Sequence, residues 1–171
     1  RYDTDIDALP VQNTRQEVYE FITTEIKDNI DLLSEENTPL YYGRFNKWAA
    51  HALLAKIYLN AEVYTGIAEW DNCIEQCDRV MNSGKYNLEL NYSDIFSAVN
   101  ENSPEIVFAI PFDNLSDWDY GWFYLPWITL HPQNQFTYDL EVQPWGSTMA
   151  IPQFIDTYDT LDHRLYDTWI M

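Results

Sequence analysis

The feature that most constrains this chain is a run of about twenty residues whose apolar side chains encircle a helix. Between residues 44 and 63 these are Phe45, Trp48, Ala49, Ala52, Leu53, Leu54, Ile57, Tyr58 and Ala61. A surface helix keeps its apolar residues to one stripe. A helix apolar around most of its circumference must be covered on more than one side. Its alanines permit close approach by neighbours. The following stretch, 69–82, is amphipathic through Trp70, Cys73, Ile74, Cys77, Val80 and Met81. Gly84 stands where a left-handed residue would close that helix. Arg44 to Gly84 therefore predicts two helices folded back on each other across a short turn.

The flanking sequence sorts around this hairpin. Thr14 and Glu17 form a capping-box pattern, T-R-Q-E, which starts a helix. Val18, Ile22, Ile26, Ile30 and Leu33 step by three or four, with Phe21 beside them, and predict a helix over 15–33. It covers part of the wide apolar helix. After Tyr86 the texture changes. NYSDIF predicts one short helical turn, and EIVFAIPF is the best strand candidate. Residues 113–147 hold no sustained period, and a long irregular segment in a compact domain usually carries function. Pro152 opens a last helix with Phe154, Ile155 and Tyr158, and 159–171 read as acidic loop. The expected fold is mostly α, with tetratricopeptide-like helical hairpins and a long irregular, loop-rich ligand-binding segment. We read 1–171 as a single partial domain, helical over 14–86 and loop-rich over 87–171. One hairpin cannot bury so apolar a helix alone, so further helices are expected beyond the ends of the chain.

Composition narrows the function. Hydrophobic residues make up 46% of the chain, which argues against intrinsic disorder. Seven Trp, thirteen Tyr and eight Phe exceed what a core of this size needs, so some rings are expected at the surface, where they bind ligands. The formal charge of −19 disfavours nucleic acid and other polyanions as partners. A neutral polar ligand such as a sugar meets no such penalty. Cys73 and Cys77 lie one helical turn apart, an arrangement unsuited to a mutual disulfide, and read as small buried apolar residues. No metal or cofactor is implied. His51, His131 and His163 share no ligand spacing. Asp113, Asp117 and Asp119 lack the distal Glu of a calcium loop. No phosphate loop, nucleophile elbow or apolar run of membrane-spanning length is present in the sequence.

The order of several motifs resembles the SusD/RagB family. These are GRFNKWAAHALLAKIYLNAEVY, then W-x2-C-I-x2-C-x2-V-M-N-S-G-K-Y, then L-x3-Y-S-D-I-F and ENSPEIVFAIPF. LPVQNTRQEVYEFI lies upstream, and AIPQFIDTYD with DHRL downstream. Together they cover about 10–170. The resemblance implies tetratricopeptide-like helix pairs that support an irregular ligand face. It also implies surface glycan-binding lipoproteins of Bacteroidota, which are not enzymes and sit over a SusC-like TonB-dependent transporter. Family members reach the outer membrane through a lipidated N-terminal Cys, which this chain does not contain in that position. The chain opens without a Met and reads as the middle of such a protein.

The binding residues follow from the chemistry of sugars. Sugar rings present apolar C–H faces on which flat aromatic rings stack, while amides and carboxylates take the hydroxyls. The run W-D-Y-G-W-F-Y-L-P-W at 118–127 supplies Trp118, Tyr120, Trp122, Tyr124 and Trp127. Alternation places the first four on one face of an extended segment. The competing reading folds these rings onto the helical scaffold. Trp145 is the foremost single candidate. The resemblance implies an aromatic on the glycan face there, and Gly146 lets the backbone carry the ring to the surface. The chain departs from the commoner family form at Ile151, where Ser or Thr would cap the helix begun at Pro152. Asp117, Asp119, Gln133, Asn134 and Gln143 are the polar candidates. Two rival functions stand beside glycan binding: a tetratricopeptide-like scaffold that binds a protein or peptide, and a glycoside hydrolase with paired carboxylates.

Overall fold

The computed structural model describes residues 12–97, 99–111 and 125–168. They fall into two compact units. One contains residues 12–89 and 101–109; the other contains the described residues of 90–100 and 110–168.

The first unit is the helical hairpin and its cover. Helix α1 spans Arg15–Asn29 and continues as a 3₁₀ turn at Ile30–Leu32. The capping box forms as expected. The Glu17 N–H donates to the Thr14 hydroxyl, and the Thr14 N–H donates to the Glu17 carboxylate at 2.7 Å. The N–H and hydroxyl of Thr14, both donating to this carboxylate, hold the Glu17 carboxyl below its ordinary range. The inward face is Tyr19, Thr23, Ile26 and Ile30, rotated by one residue from the expected stripe at its N-terminal end. Val18, Phe21 and Ile22 are exposed instead. The rotation has a local cause. Tyr19 donates to Glu69 at 2.7 Å and lies against Tyr64, with ring centroids 6.3 Å apart.

The wide apolar helix is two elements. Helix α2 runs Lys47–Leu59, and α3 runs Ala61–Thr65, with Asn60 at the break. Asn46 caps α2 through the Ala49 N–H at 2.9 Å. Helix α4, Trp70–Met81, makes the most extensive packing in the unit, against α2. Cover from two sides is what the circumference of α2 demands. Ala49, Ala50, Leu54, Ala55 and Tyr58 are buried, and Ala50 and Ala61 are fully enclosed. The alanines let the backbones approach. Gly66 ends α3 at φ 80°, and Gly84 follows α4 at φ 67°, the left-handed conformation expected there.

Two expectations fail on α4 and after it. Cys77 is exposed and Cys73 only half-buried, because the packing edge passes through Cys73, Gln76 and Val80. Trp70, Ile74, Cys77 and Met81 form an outward apolar row. The segment expected as a strand is irregular over its described residues, 105–111. It docks by isolated contacts: the Glu89 N–H donates to the Glu105 carboxylate at 2.9 Å, and Phe108 meets Phe45 edge-on at 5.5 Å. No strand among the described residues supplies a ladder.

The second unit is built of short elements. A 3₁₀ turn at Tyr92–Phe96 fulfils the helical-turn expectation and packs against α8, Arg164–Thr168. Leu165 of α8 is buried, so the presumed acidic loop contains a helix. Helices α5, Leu125–Thr129, α6, Asn134–Thr137, and α7, Pro152–Ile155, are each about one turn long. Ile151 leaves α7 without a side-chain cap, as its residue type dictates.

Candidate functional site

Within the second unit, the segment around Trp145 is fixed to α5 by its backbone. The Trp145 N–H donates to the Trp127 carbonyl at 2.7 Å, and the Thr148 N–H to that of Ile128 at 2.8 Å. Gly146, between these anchors, has φ 62°. A Cβ there would stand 2.8 Å from Cδ of Pro132 and 3.5 Å from the Leu130 carbonyl. Only glycine satisfies both the left-handed backbone and this close approach. Pro144, on the other side, is buried.

The consequence is a tryptophan with a fixed backbone and a presented ring. The Trp145 side chain is 61% exposed, whereas Trp127 is half-buried. The structure thus brings two of the candidate rings into one substructure. Trp118, Tyr120, Trp122 and Tyr124, with Asp113, Asp117 and Asp119, lie outside the described residues.

The turn beneath Trp145 is organised by polar groups. The His131 N–H donates to Asn134 Oδ1 at 2.8 Å, and the Gln133 N–H to His131 Nδ1 at 3.2 Å. The Leu140 N–H reaches back to the Gln135 carbonyl at 3.0 Å, and Asp139 takes a left-handed φ of 51° at this turn. Gln133 and Gln143 are exposed, and Asn134 is half-buried. His131 enters here as a turn-former, a role that sequence spacing does not signal. Phe136 and Tyr138 add exposed rings on and beside α6. They escaped notice because they fall outside the dense 118–127 run.

Such a site can stack an apolar ring face and offer hydrogen bonds from amides. Among the described residues, no cluster of three or more His, Cys, Asp or Glu is placed to hold a metal ion. No described helix is long and apolar enough to cross a membrane.

Comparison with known proteins agrees with the motif order. Residues 3–59 match the family model SusD-like, described as starch-binding and associating with the outer membrane. The starch-binding protein SusD of Bacteroides thetaiotaomicron is 34% identical over 118 residues, covering 66% of this chain and 21% of that protein. A SusD-like protein of Bacteroides ovatus is 28% identical over 111 residues, 62% of this chain and 20% of its own length. SusD-like protein P25 of Formosa agariphila is 30% identical over 70 residues, 41% of this chain and 12% of its own. The chain thus spans about a fifth or less of the curated relatives it matches. By its mostly helical fold, its motif order and these matches, the chain is similar to the SusD-like proteins over the residues matched.

Proposed function

We propose that this chain is part of a non-catalytic glycan-binding protein at the outer-membrane surface, which delivers oligosaccharide to a SusC-like TonB-dependent transporter. The observation that carries the reading is the presented ring of Trp145, on a backbone pinned to Trp127. A pre-positioned ring loses little freedom when a sugar stacks on it. The starch-binding name of its relative in Bacteroides thetaiotaomicron supports the ligand class. Trp118, Tyr120, Trp122 and Tyr124 remain candidate stacking rings in this reading. Attachment is through an N-terminal lipid in the full protein. The outward row of Trp70, Ile74 and Met81 on α4 supports a role in contacting protein, and the same row favours the peptide-scaffold alternative.

A panel of neutral polysaccharides separates these readings on the intact protein. Binding to at least one of them, with no release of reducing ends, is the expected result. New reducing ends would establish a hydrolase. Absence of binding to every glycan, with retention of a peptide ligand, would establish the scaffold.

A further inference from the structure

The first unit contains a cleft that glycan capture at Trp145 does not use. It lies between the loop at 37–44, Tyr86 and the segment 101–109, with a volume of about 280 Å³. That is near the lower bound for pockets holding compact small molecules, roughly 300 Å³, and suits one ring rather than a polymer. Its walls include Tyr41, Tyr42 and Phe108.

Two hydrogen-bond donors at this cleft have no acceptor among the described residues. The first is Tyr86, a half-buried residue. Its oxygen accepts from Asn46 Nδ2 at 3.4 Å, and its own O–H donates to none of them. Burial pushes this hydroxyl above the ordinary tyrosine range, so it retains its proton. The second is the Arg44 guanidinium, held 5.5 Å from the centroid of the Tyr41 ring. It forms no ion pair with a described carboxylate. The cleft also inverts the local charge. Arg44 and Lys85 line it against Glu101 alone, in a chain of formal charge −19.

Donors that no described protein group accepts from suit a ligand that supplies acceptors, and the exposed Arg44 guanidinium beside an aromatic wall suits a carboxylate. We propose that this cleft is a separate site for a ring-sized carboxylate, of the sugar-acid class. The carboxylate sits on Arg44, a ligand oxygen accepts from Tyr86, and the ring lies along the tyrosine wall.

The test is calorimetric titration of the intact protein with D-galacturonate, D-galactose and cyclohexanecarboxylate. Galacturonate should bind, and galactose about tenfold more weakly, because the charged hydrogen bond is lost. Arg44→Gln should weaken galacturonate by about tenfold, and Arg44→Lys by less, since it keeps the charge without the fork. Tyr86→Phe should weaken it severalfold, while Trp145→Ala leaves it unchanged. Equal binding of galactose and galacturonate, or an unaltered Arg44→Gln variant, would overturn the site. Cyclohexanecarboxylate binding as well as galacturonate would overturn the sugar-acid assignment. Loss of galacturonate binding in Trp145→Ala would place the ligand elsewhere.

Discussion

The main-chain N–H of Trp145 donates to the carbonyl of Trp127 at 2.7 Å, which joins two candidate rings eighteen positions apart by a single backbone bond. The bond fixes where the Trp145 backbone stands, and Gly146 permits the turn that follows. The presented ring is therefore a product of backbone geometry as much as of its own packing.

Gly146→Ala should destabilise the fold by about 1–3 kcal/mol, the cost of strain at a left-handed site, and crowd Pro132 besides. Gly66→Ala is the comparison. Its φ is 80°, but nothing lies within 4 Å of the added Cβ. The second change should cost about 1 kcal/mol, from conformation alone. Thermal unfolding of both variants checks the order; equal losses would show that Pro132 moves aside without penalty.

His51 and Gln76 form a buried side-chain hydrogen bond of 2.8 Å between α2 and α4. Gln76→Leu strands the His51 ring and should cost about 1–3 kcal/mol. Adding His51→Leu should recover part of that loss, since replacing both partners removes the stranded group. A double-mutant cycle by denaturant unfolding measures the coupling. Strictly additive losses would mean that the bond contributes nothing.

Tyr19 should contribute to a loss of stability at alkaline pH. Burial, the hydrogen bond to Glu69 and that carboxylate's charge raise its pKa well above the ordinary 10.0. A raised folded pKa means stability that is fully present below the unfolded value and declines as pH climbs past it. Tyr58 and Tyr86 shift in the same direction, chiefly through burial. Stability should fall as pH rises above 10.0, and Tyr19→Phe should flatten that slope while lowering stability at neutral pH. Urea unfolding at a series of alkaline pH values checks both effects. An unchanged slope would remove Tyr19 from the account.

Much of the helical unit was legible because its helices are long enough for periodicity to repeat. The T-R-Q-E box, the circumference of α2 and the left-handed Gly84 are all readable from residue types. What escaped were choices made by tertiary partners. Tyr19 turned inward because Glu69 and Tyr64 receive it, which displaced Val18 and Ile22. Ile74 and Cys77 lie on an apolar row that the described residues leave exposed. Short α5, α6 and α8 hold too few residues to display a period. EIVFAIPF has strand composition, but its described residues, 105–111, gain no ladder from other described residues. At the candidate site the exposure of the Trp145 ring and the left-handed Gly146 could be anticipated, whereas the bond to Trp127 and the His131 turn depend on contacts no motif encodes.

In the proposed function, the presented ring of Trp145 captures a neutral glycan. Affinity electrophoresis of the intact protein through gels containing starch or another neutral polysaccharide tests it most directly. The native protein should be retarded. Trp145→Ala should migrate as it does without polysaccharide, and Trp145→Phe should lie between, provided that circular dichroism shows both variants folded. Retardation of a folded Trp145→Ala protein equal to that of the native protein would contradict the account.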